Sequence, residues 1–116
     1  MSEIREIDAF AVFTGMPQNG LEEEINSFFS KNKGEIEVIK RTLTVRENGE
    51  AEIIIGYQKK KVDYTEKVKM INLLGDIYNS IKELNKKISA ENLKVIDLLI
   101  CDFKRQVNVG IIFYKK

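Results

Sequence analysis

The sequence predicts an α+β domain that combines an antiparallel sheet of hairpins with two helices, in the order β-α-β-β-α-β-β, with a long second helix. Short apolar stretches with strand-like alternation flank two segments whose apolar residues recur at helical spacing, and an Asn48-Gly49 pair marks a hairpin turn. A length of 116 residues and a hydrophobic fraction of 43% indicate a single domain, residues 1–116, that can bury its own core.

The first strand is predicted at residues 7–13, an apolar run that is broken at residues 14–17. Asn19 is the predicted N-cap of the first helix, because Glu22 follows three residues later and completes a capping box. Gly34 is the predicted end of this helix. Its apolar face consists of Leu21, Ile25, Phe28 and Phe29.

The central hairpin has a register that its turn predicts. A three-residue loop, residues 47–49, with Gly49 in a left-handed conformation places Arg46 opposite Glu50. This loop collects most apolar side chains on one face, whereas a two-residue loop moves one strand's side chains to the other face. The predicted pairs are Val45 with Ala51, Leu43 with Ile53, Arg41 with Ile55 and Ile39 with Tyr57. The predicted polar face holds Lys40, Thr42, Thr44, Arg46, Glu50 and Glu52.

One long helix is predicted from residue 63 to about residue 88. Asp63 and Glu66 match a second capping box. Six apolar residues then recur at spacings of 4, 3, 4, 3 and 4, which is the a/d seam of packed helices. They are Met70, Leu74, Ile77, Ile81, Leu84 and Ile88. Gly75 lies inside this segment and either permits a close helix approach or is merely tolerated, at a cost of about 1 kcal/mol relative to alanine.

The last hairpin is predicted at residues 94–103 and 107–114, and it is apolar on both faces. Such a hairpin must be covered on both faces, whereas two helices on a five-stranded sheet normally cover one. We therefore expect a homo-oligomer, a dimer or a multiple of dimers, with this hairpin and the long helix as candidate interfaces. The alternative is a more closed monomer in which the helices wrap differently.

The two halves of the chain match at an offset of 57 residues. Val38-Ile39 corresponds to Val95-Ile96, and Tyr57 corresponds to Tyr114. Two interpretations remain open: an internal duplication of a helix–hairpin unit, at about residues 20–60 and 64–116, or independent convergence of strands on Val, Ile and Tyr.

Composition excludes most catalytic chemistry. The chain has no histidine and no glycine-rich phosphate loop or nucleophile-elbow motif. A lone Cys101 cannot form an intrachain disulfide, and its apolar neighbours predict a buried core residue. We therefore predict a non-enzymatic protein with no catalytic residue, metal site or cofactor.

The charge balance and the lack of apolar spans limit the partners. Lys and Arg total 19 against 18 Asp and Glu, so nucleic acid is not an expected partner. No apolar run approaches the about 18 residues that span a bilayer, and the charged N-terminus lacks the apolar stretch of a signal peptide. We therefore expect a cytoplasmic protein that does not enter a membrane.

A small anionic ligand of nucleotide type is the predicted partner, held at a subunit junction. Arg41 lies on an otherwise apolar face, where its guanidinium must reach water, a carboxylate or an anion. Its structural alternative is a salt bridge, and that of the lysine run at residues 59–61 is a solubilising strand end. The candidate ligand-binding residues are Arg41, Lys60, Lys104 and Arg105 for phosphates, and Tyr57, Phe103 and Tyr114 for stacking a base, with Tyr64 as a further aromatic.

Residues 21–29, Leu-Glu-Glu-Glu-Ile-Asn-Ser-Phe-Phe, together with residues 36–45 and 53–59, resemble small Firmicute sporulation proteins, in which an acidic helix precedes a hairpin. The chain's size, α+β order, predicted long helix and Lys-, Ile- and Asn-rich composition resemble the phage Thoeris anti-defence sponge proteins. The sponge resemblance implies a phage-encoded, non-enzymatic oligomer that sequesters cyclic ADP-ribose-type immune signals in the host cytoplasm. The alternative function is a small protein–protein inhibitor or adaptor of phage or sporulation origin.

Overall fold

A computed structural model describes residues 5–73, 76–101 and 108–115. These residues form six strands, two α-helices and a short π-helical turn, so the predicted α+β class with antiparallel hairpins is confirmed. In chain order the elements are β1 (Ala9–Gly15), the π-helical turn (Pro17–Leu21), α1 (Glu22–Lys31), β2 (Ile36–Val45), β3 (Ala51–Lys59), β4 (Glu66–Leu73), α2 (Ile77–Glu91), β5 (Lys94–Cys101) and β6 (Asn108–Lys115).

The described strands form two antiparallel sheets of three strands each, rather than the predicted sheet of five. The N-terminal sheet has the order β1-β3-β2 and the C-terminal sheet has the order β4-β6-β5. Each half is thus a β-α-β-β unit whose last strand lies in the middle. A bulge interrupts both hairpins at the same place, between Val38 and Lys40 in one and between Val95 and Asp97 in the other. These positions are 57 residues apart, the offset of the sequence match.

The predicted long helix is wrong in its first half, because residues 66–73 form β4 and pair with β6. In this segment Val68 and Met70 alternate with Lys67 and Lys69, so a period of two fits it as well as the helical spacing does. The second helix begins at Ile77, and its N-cap is Asp76 rather than Asp63. The Asp76 carboxylate accepts a hydrogen bond from the Asn79 N–H at 2.9 Å. Leu74 and Gly75 lie outside the described residues.

The central hairpin confirms the predicted three-residue loop. Gly49 has φ of 87°, and the Arg46 N–H donates to the Glu50 carbonyl at 2.8 Å. The observed pairs Val45–Ala51, Leu43–Ile53 and Arg41–Ile55 are those expected. The predicted pair of Ile39 with Tyr57 is wrong, because the bulge shifts the register and places Val38 opposite Tyr57.

The start of the chain departs from the expectation in two details. The first strand is Ala9–Gly15, two residues later than predicted. The N-cap of α1 is Leu21 rather than Asn19, because a π-helical turn precedes the helix. The Glu22 carboxylate accepts a hydrogen bond from the Met70 N–H of β4 at 2.7 Å.

Helix α1 lies on the inner face of the N-terminal sheet and along the edge of β4. The Asn26 side chain accepts from the Val68 N–H at 2.8 Å and donates to the Val68 carbonyl at 3.0 Å, so it satisfies this strand edge. One core cluster joins α1 to both sheets. Its most buried members include Ile25, Phe29, Ile53, Ile55, Cys101, Val109, Ile111 and Phe113.

In the last hairpin β6 is buried on both faces within the chain, whereas residues 94–100 of β5 are exposed or half-buried. Cys101, Val109, Ile111 and Phe113 are at most 1% exposed in the core cluster. Helix α2 lies against β4, with Leu84 buried, on the other face. The candidate interface on this hairpin and the oligomeric state both stay predictions, and the apolar surface that is open to a partner is that of β5 rather than of β6. Among the described helices none is long and apolar enough to cross a bilayer.

Candidate functional site

The Arg41 side chain projects from β2 into the space between the two sheets, where it is 7% exposed. Its Nε donates to Glu66 Oε1 at 2.8 Å, and its Nη2 donates to the same oxygen. Its Nη1 lies 3.7 Å from Asp97 Oδ2, and its guanidinium carbon lies 5.0 Å from the centre of the Phe113 ring. The guanidinium thus contacts three strands of the C-terminal sheet. It is the structural salt bridge considered as the alternative to ligand binding.

The carboxylate that receives Arg41 is itself deeply buried. Burial raises the pKa of Glu66, and the charge of Asp97 adds to this, while the Arg41 guanidinium acts in the opposite direction. Glu66 Oε2 has no hydrogen-bond partner among the described residues, a costly arrangement for a buried oxygen. The Arg41–Glu66 contact therefore joins the sheets at an electrostatic cost and leaves Arg41 little surface for a ligand.

The remaining predicted ligand residues do not share one site. The Tyr57 ring packs edge-to-face on Phe28, with ring centres 5.6 Å apart, on the core side of the N-terminal sheet. Lys60 Nζ lies 3.4 Å from Glu37 at the protein surface. Tyr114 is half-buried and, by strand alternation, faces away from the core cluster that holds Phe113. Phe103, Lys104 and Arg105 lie outside the described residues.

A polar cleft of about 390 Å³ forms at the end of the C-terminal sheet, around the half-buried Tyr64. Helix α2 ends at Glu91, and its C-cap Asn92 adopts a left-handed conformation with φ of 52° that turns the chain toward β5 at Lys94. Antiparallel pairing then places Lys115 of β6 directly opposite Lys94. This cleft, the Tyr64 cleft, is lined by Asp63, Tyr64, Asn92, Lys94 and Lys115.

Positive charge exceeds negative charge in the Tyr64 cleft, where two lysines face one aspartate. Lys94 and Lys115 carry like charges at directly opposite strand positions, which is a destabilising arrangement, and Glu66 of β4 lies opposite Lys115 on the other side. Lys115 Nζ lies 5.2 Å from the centre of the Tyr64 ring. Burial raises the pKa of Tyr64, and Glu37 and Glu66 add to this, so the phenol is protonated at neutral pH and can donate a hydrogen bond.

Sequence reasoning named Tyr64 as a stacking candidate but missed Lys94 and Lys115. Two signals were needed to find the lysines: the register of the last hairpin and the point where α2 ends. Asparagine commonly terminates helices, so Asn92 indicates where α2 ends. The register of the last hairpin depends on a bulge at Ile96, which local sequence does not reveal.

A second cleft, of about 460 Å³, lies between α2 and β4. Its walls are more apolar and include Ile71, Leu73 and Leu84, with Lys86 and Lys87 at the rim. Although it is larger, it has no aromatic ring among its lining residues and no opposed pair of lysines on neighbouring strands. The Tyr64 cleft is therefore the better candidate for an anionic ligand that carries a base.

Reactive groups are sparse in the part of the chain that the structure describes. Burial raises the pKa of the Cys101 thiol to about 11, and its side chain lies in the core as predicted. Within residues 5–73, 76–101 and 108–115, no three His, Cys, Asp or Glu side chains are grouped to hold a metal ion. Comparisons of the chain with protein-family models, curated proteins and solved structures gave no match.

Proposed function

We propose that this chain is a non-enzymatic binding protein that sequesters a small anionic ligand of nucleotide type in the Tyr64 cleft. The supporting observation is the opposed pair Lys94 and Lys115 beside an aromatic ring. The volume of about 390 Å³ lies within the range of small-molecule sites. The resemblance to sponge proteins names a cyclic ADP-ribose-type molecule as the ligand to test first.

The proposed binding requires no chemical step. Lys94 and Lys115 each offer three ammonium N–H donors to phosphate oxygens, and binding of the phosphate relieves their mutual repulsion. The Tyr64 ring stacks a base, a contact worth about 1–3 kcal/mol. The phenol and the Asn92 amide then donate to the remaining polar groups of the ligand. Sequestration is stoichiometric, so the ligand is released unchanged when the protein unfolds.

Isothermal titration calorimetry against cyclic ADP-ribose, ADP-ribose and AMP tests this proposal. We expect binding by at least one of them, a loss of at least tenfold in affinity for the K94A/K115A double variant, and a similar loss for Tyr64→Ala. The matched control is the K86A/K87A double variant, which removes the same charge from α2 and should bind normally. Tyr64→Phe keeps the ring and should retain most of the affinity.

Two results would contradict the proposal. The first is the absence of heat with every nucleotide in the panel. The second is recovery of a chemically altered ligand after denaturation, measured by mass spectrometry, because that result indicates turnover rather than sequestration.

A second candidate function is that of a protein–protein inhibitor or adaptor. It is favoured by the exposure of Phe10 and Val12, at 63% and 56%, on one face of the N-terminal sheet. Such a protein would give no heat with nucleotides and would capture a partner protein in a manner that Val12→Asp abolishes.

A further inference from the structure

The N-terminal sheet has one face that is turned away from α1 and is here called the outer face; Ile7 covers it at Gly56, and the rest is open. Because side chains alternate along strands, Phe10 and Val12 of β1 share this face with Ile54 of β3. Both β1 side chains are more than half exposed, and Thr42 of β2 lies beside Ile54 in the register. Exposed large apolar side chains grouped on a sheet face mark an interaction surface.

The C-terminal half repeats the β-α-β-β architecture, so the exposure of the equivalent face can be compared in the C-terminal sheet. At the offset of 57 residues, Ile54 corresponds to Ile111. Ile111 and its neighbours Val109 and Phe113 are at most 1% exposed, because the N-terminal half packs on them. The same face of the same unit is therefore covered by protein in the C-terminal sheet and open in the N-terminal sheet.

The surface that covers the C-terminal sheet is not repeated at the other end of the molecule. Ile25 and Phe29 of α1 belong to the shared core, whereas the solvent side of α2 carries charged residues that include the exposed Lys82 and Lys86. Helix α2 of a second copy thus cannot replace α1, and head-to-tail stacking is disfavoured. The remaining self-complementary arrangement is a two-fold contact of the outer face with itself.

Charges on the outer face fit that arrangement. Lys40 is paired with Gly56 and Glu52 is paired with Thr44, so these two charges lie toward opposite ends of the face. Within the chain, Arg46 Nη2 lies 3.1 Å from Glu52 Oε1, so the intermolecular contact of Lys40 adds to an existing pair. The two-fold axis lies in the plane of the contact, perpendicular to the strands and at the level of Ile54. It reverses the strand direction of the second copy. It places Val12 on Val12 and brings Lys40 of each copy beside Glu52 of the other.

From these observations we propose that the outer face is a homodimer interface and that its occupant is a second copy of this chain. The face covers about 25 Å by about 15 Å, from strand rise and spacing. That footprint is smaller than the about 800 Å² per partner of a standard stable interface. We therefore expect a reversible dimer with a dissociation constant in the micromolar range. The proposal does not depend on ligand binding in the Tyr64 cleft.

Sedimentation velocity over a concentration series from about 5 to about 300 μM tests the proposal, because this range spans the micromolar dissociation constants expected for an interface of this size. We expect the mass to rise from 13.4 kDa toward twice that value. Val12→Asp should weaken association at least tenfold while the far-ultraviolet circular dichroism and melting temperature are retained. The matched control is Tyr78→Asp, which places the same charge on an 80% exposed side chain of α2 and should leave association intact.

A charge exchange tests the two-fold geometry separately. Lys40→Glu should weaken the dimer, and adding both Glu52→Lys and Arg46→Glu to the same chain should restore part of the association. In this triple variant the intermolecular pairs and the internal pair of residues 46 and 52 all re-form with reversed signs. A monomer at all concentrations overturns the proposal, whether or not a different protein is captured. So does a dimer that Val12→Asp leaves intact or that Tyr78→Asp dissociates.

Discussion

The contact between Arg41 and Glu66 is the residue-scale feature that ties the N-terminal sheet to the C-terminal sheet. Both side chains are at least 90% buried, so loss of one partner leaves the other as an uncompensated buried charge. We expect Arg41→Met and Glu66→Leu each to lower the free energy of unfolding by about 3–5 kcal/mol. Urea unfolding followed by circular dichroism measures both.

The double variant separates the pair from the rest of the core. Replacing both charges by apolar side chains removes their desolvation penalty, so R41M/E66L should be more stable than either single variant. Losses that simply add in the double variant would show that the two residues act independently, contrary to the observed geometry.

The raised pKa of Glu66 gives a pH dependence of definite sign. Its folded pKa lies above the ordinary value of 4.5, so the folded state binds the proton more tightly than the unfolded chain does. The resulting stabilisation is complete below pH 4.5 and is lost as the pH rises through the folded pKa. The unfolding free energy of the wild type, measured against Glu66→Gln, should therefore fall as the pH rises above 4.5. A difference that is constant or that grows with pH would contradict this.

At the scale of elements, the boundary between β4 and α2 is where local pattern and tertiary structure disagree. Val68 and Met70 fit a helical stripe when read with Ile77 and Leu84, and they fit a strand when read with their own neighbours. The strand prevails because β6 supplies a hydrogen-bonding partner and α1 satisfies the outer edge of β4. Neither neighbour can be inferred from the segment itself.

The two candidate N-caps of the second helix make this boundary testable. Asp76→Ala removes the hydrogen bond to the Asn79 N–H and should lower the unfolding free energy by about 1 kcal/mol. Asp63→Ala, at the cap that the sequence pattern predicted, should change stability much less, since Asp63 caps no helix. Thermal melts of both variants at equal concentration provide the measurement. A larger loss of stability in Asp63→Ala than in Asp76→Ala would contradict a helix start at Ile77.

Other elements were predictable because short-range signals dominate them. Asn48-Gly49 determines the loop that pairs Val45 with Ala51, and the predicted register fails only at the distant bulge at Ile39. The Tyr64 cleft was less predictable, because it depends on how β5 and β6 pair after the bulge at Ile96. Arg41 shows the same limit: its unusual position was evident, and its partner Glu66 lay in a segment predicted as helix.

At the scale of the whole molecule, two like units share one core in an unequal way. Helix α1 contributes Ile25 and Phe29 to the core shared by both sheets, whereas α2 contributes Ser80 and Leu84 as its buried residues and presents lysines outward. The C-terminal sheet therefore depends on the N-terminal unit to cover Val109, Ile111 and Phe113. We expect neither half to be stable alone.

This dependence predicts a single cooperative unfolding transition for the chain. Phe29 of α1 lies in the cluster shared by both sheets, so Phe29→Ala should lower the unfolding free energy by about 3–5 kcal/mol and should do so for both halves. Native-state hydrogen exchange of amides in β3 and β6 measures the two halves separately. The matched control is Leu84→Ala, which opens the contact of α2 with the C-terminal sheet. If the sheets unfold independently, Phe29→Ala will reduce protection in β3 and leave β6 unchanged, because only a shared core transmits the loss from α1 to a strand of the other unit.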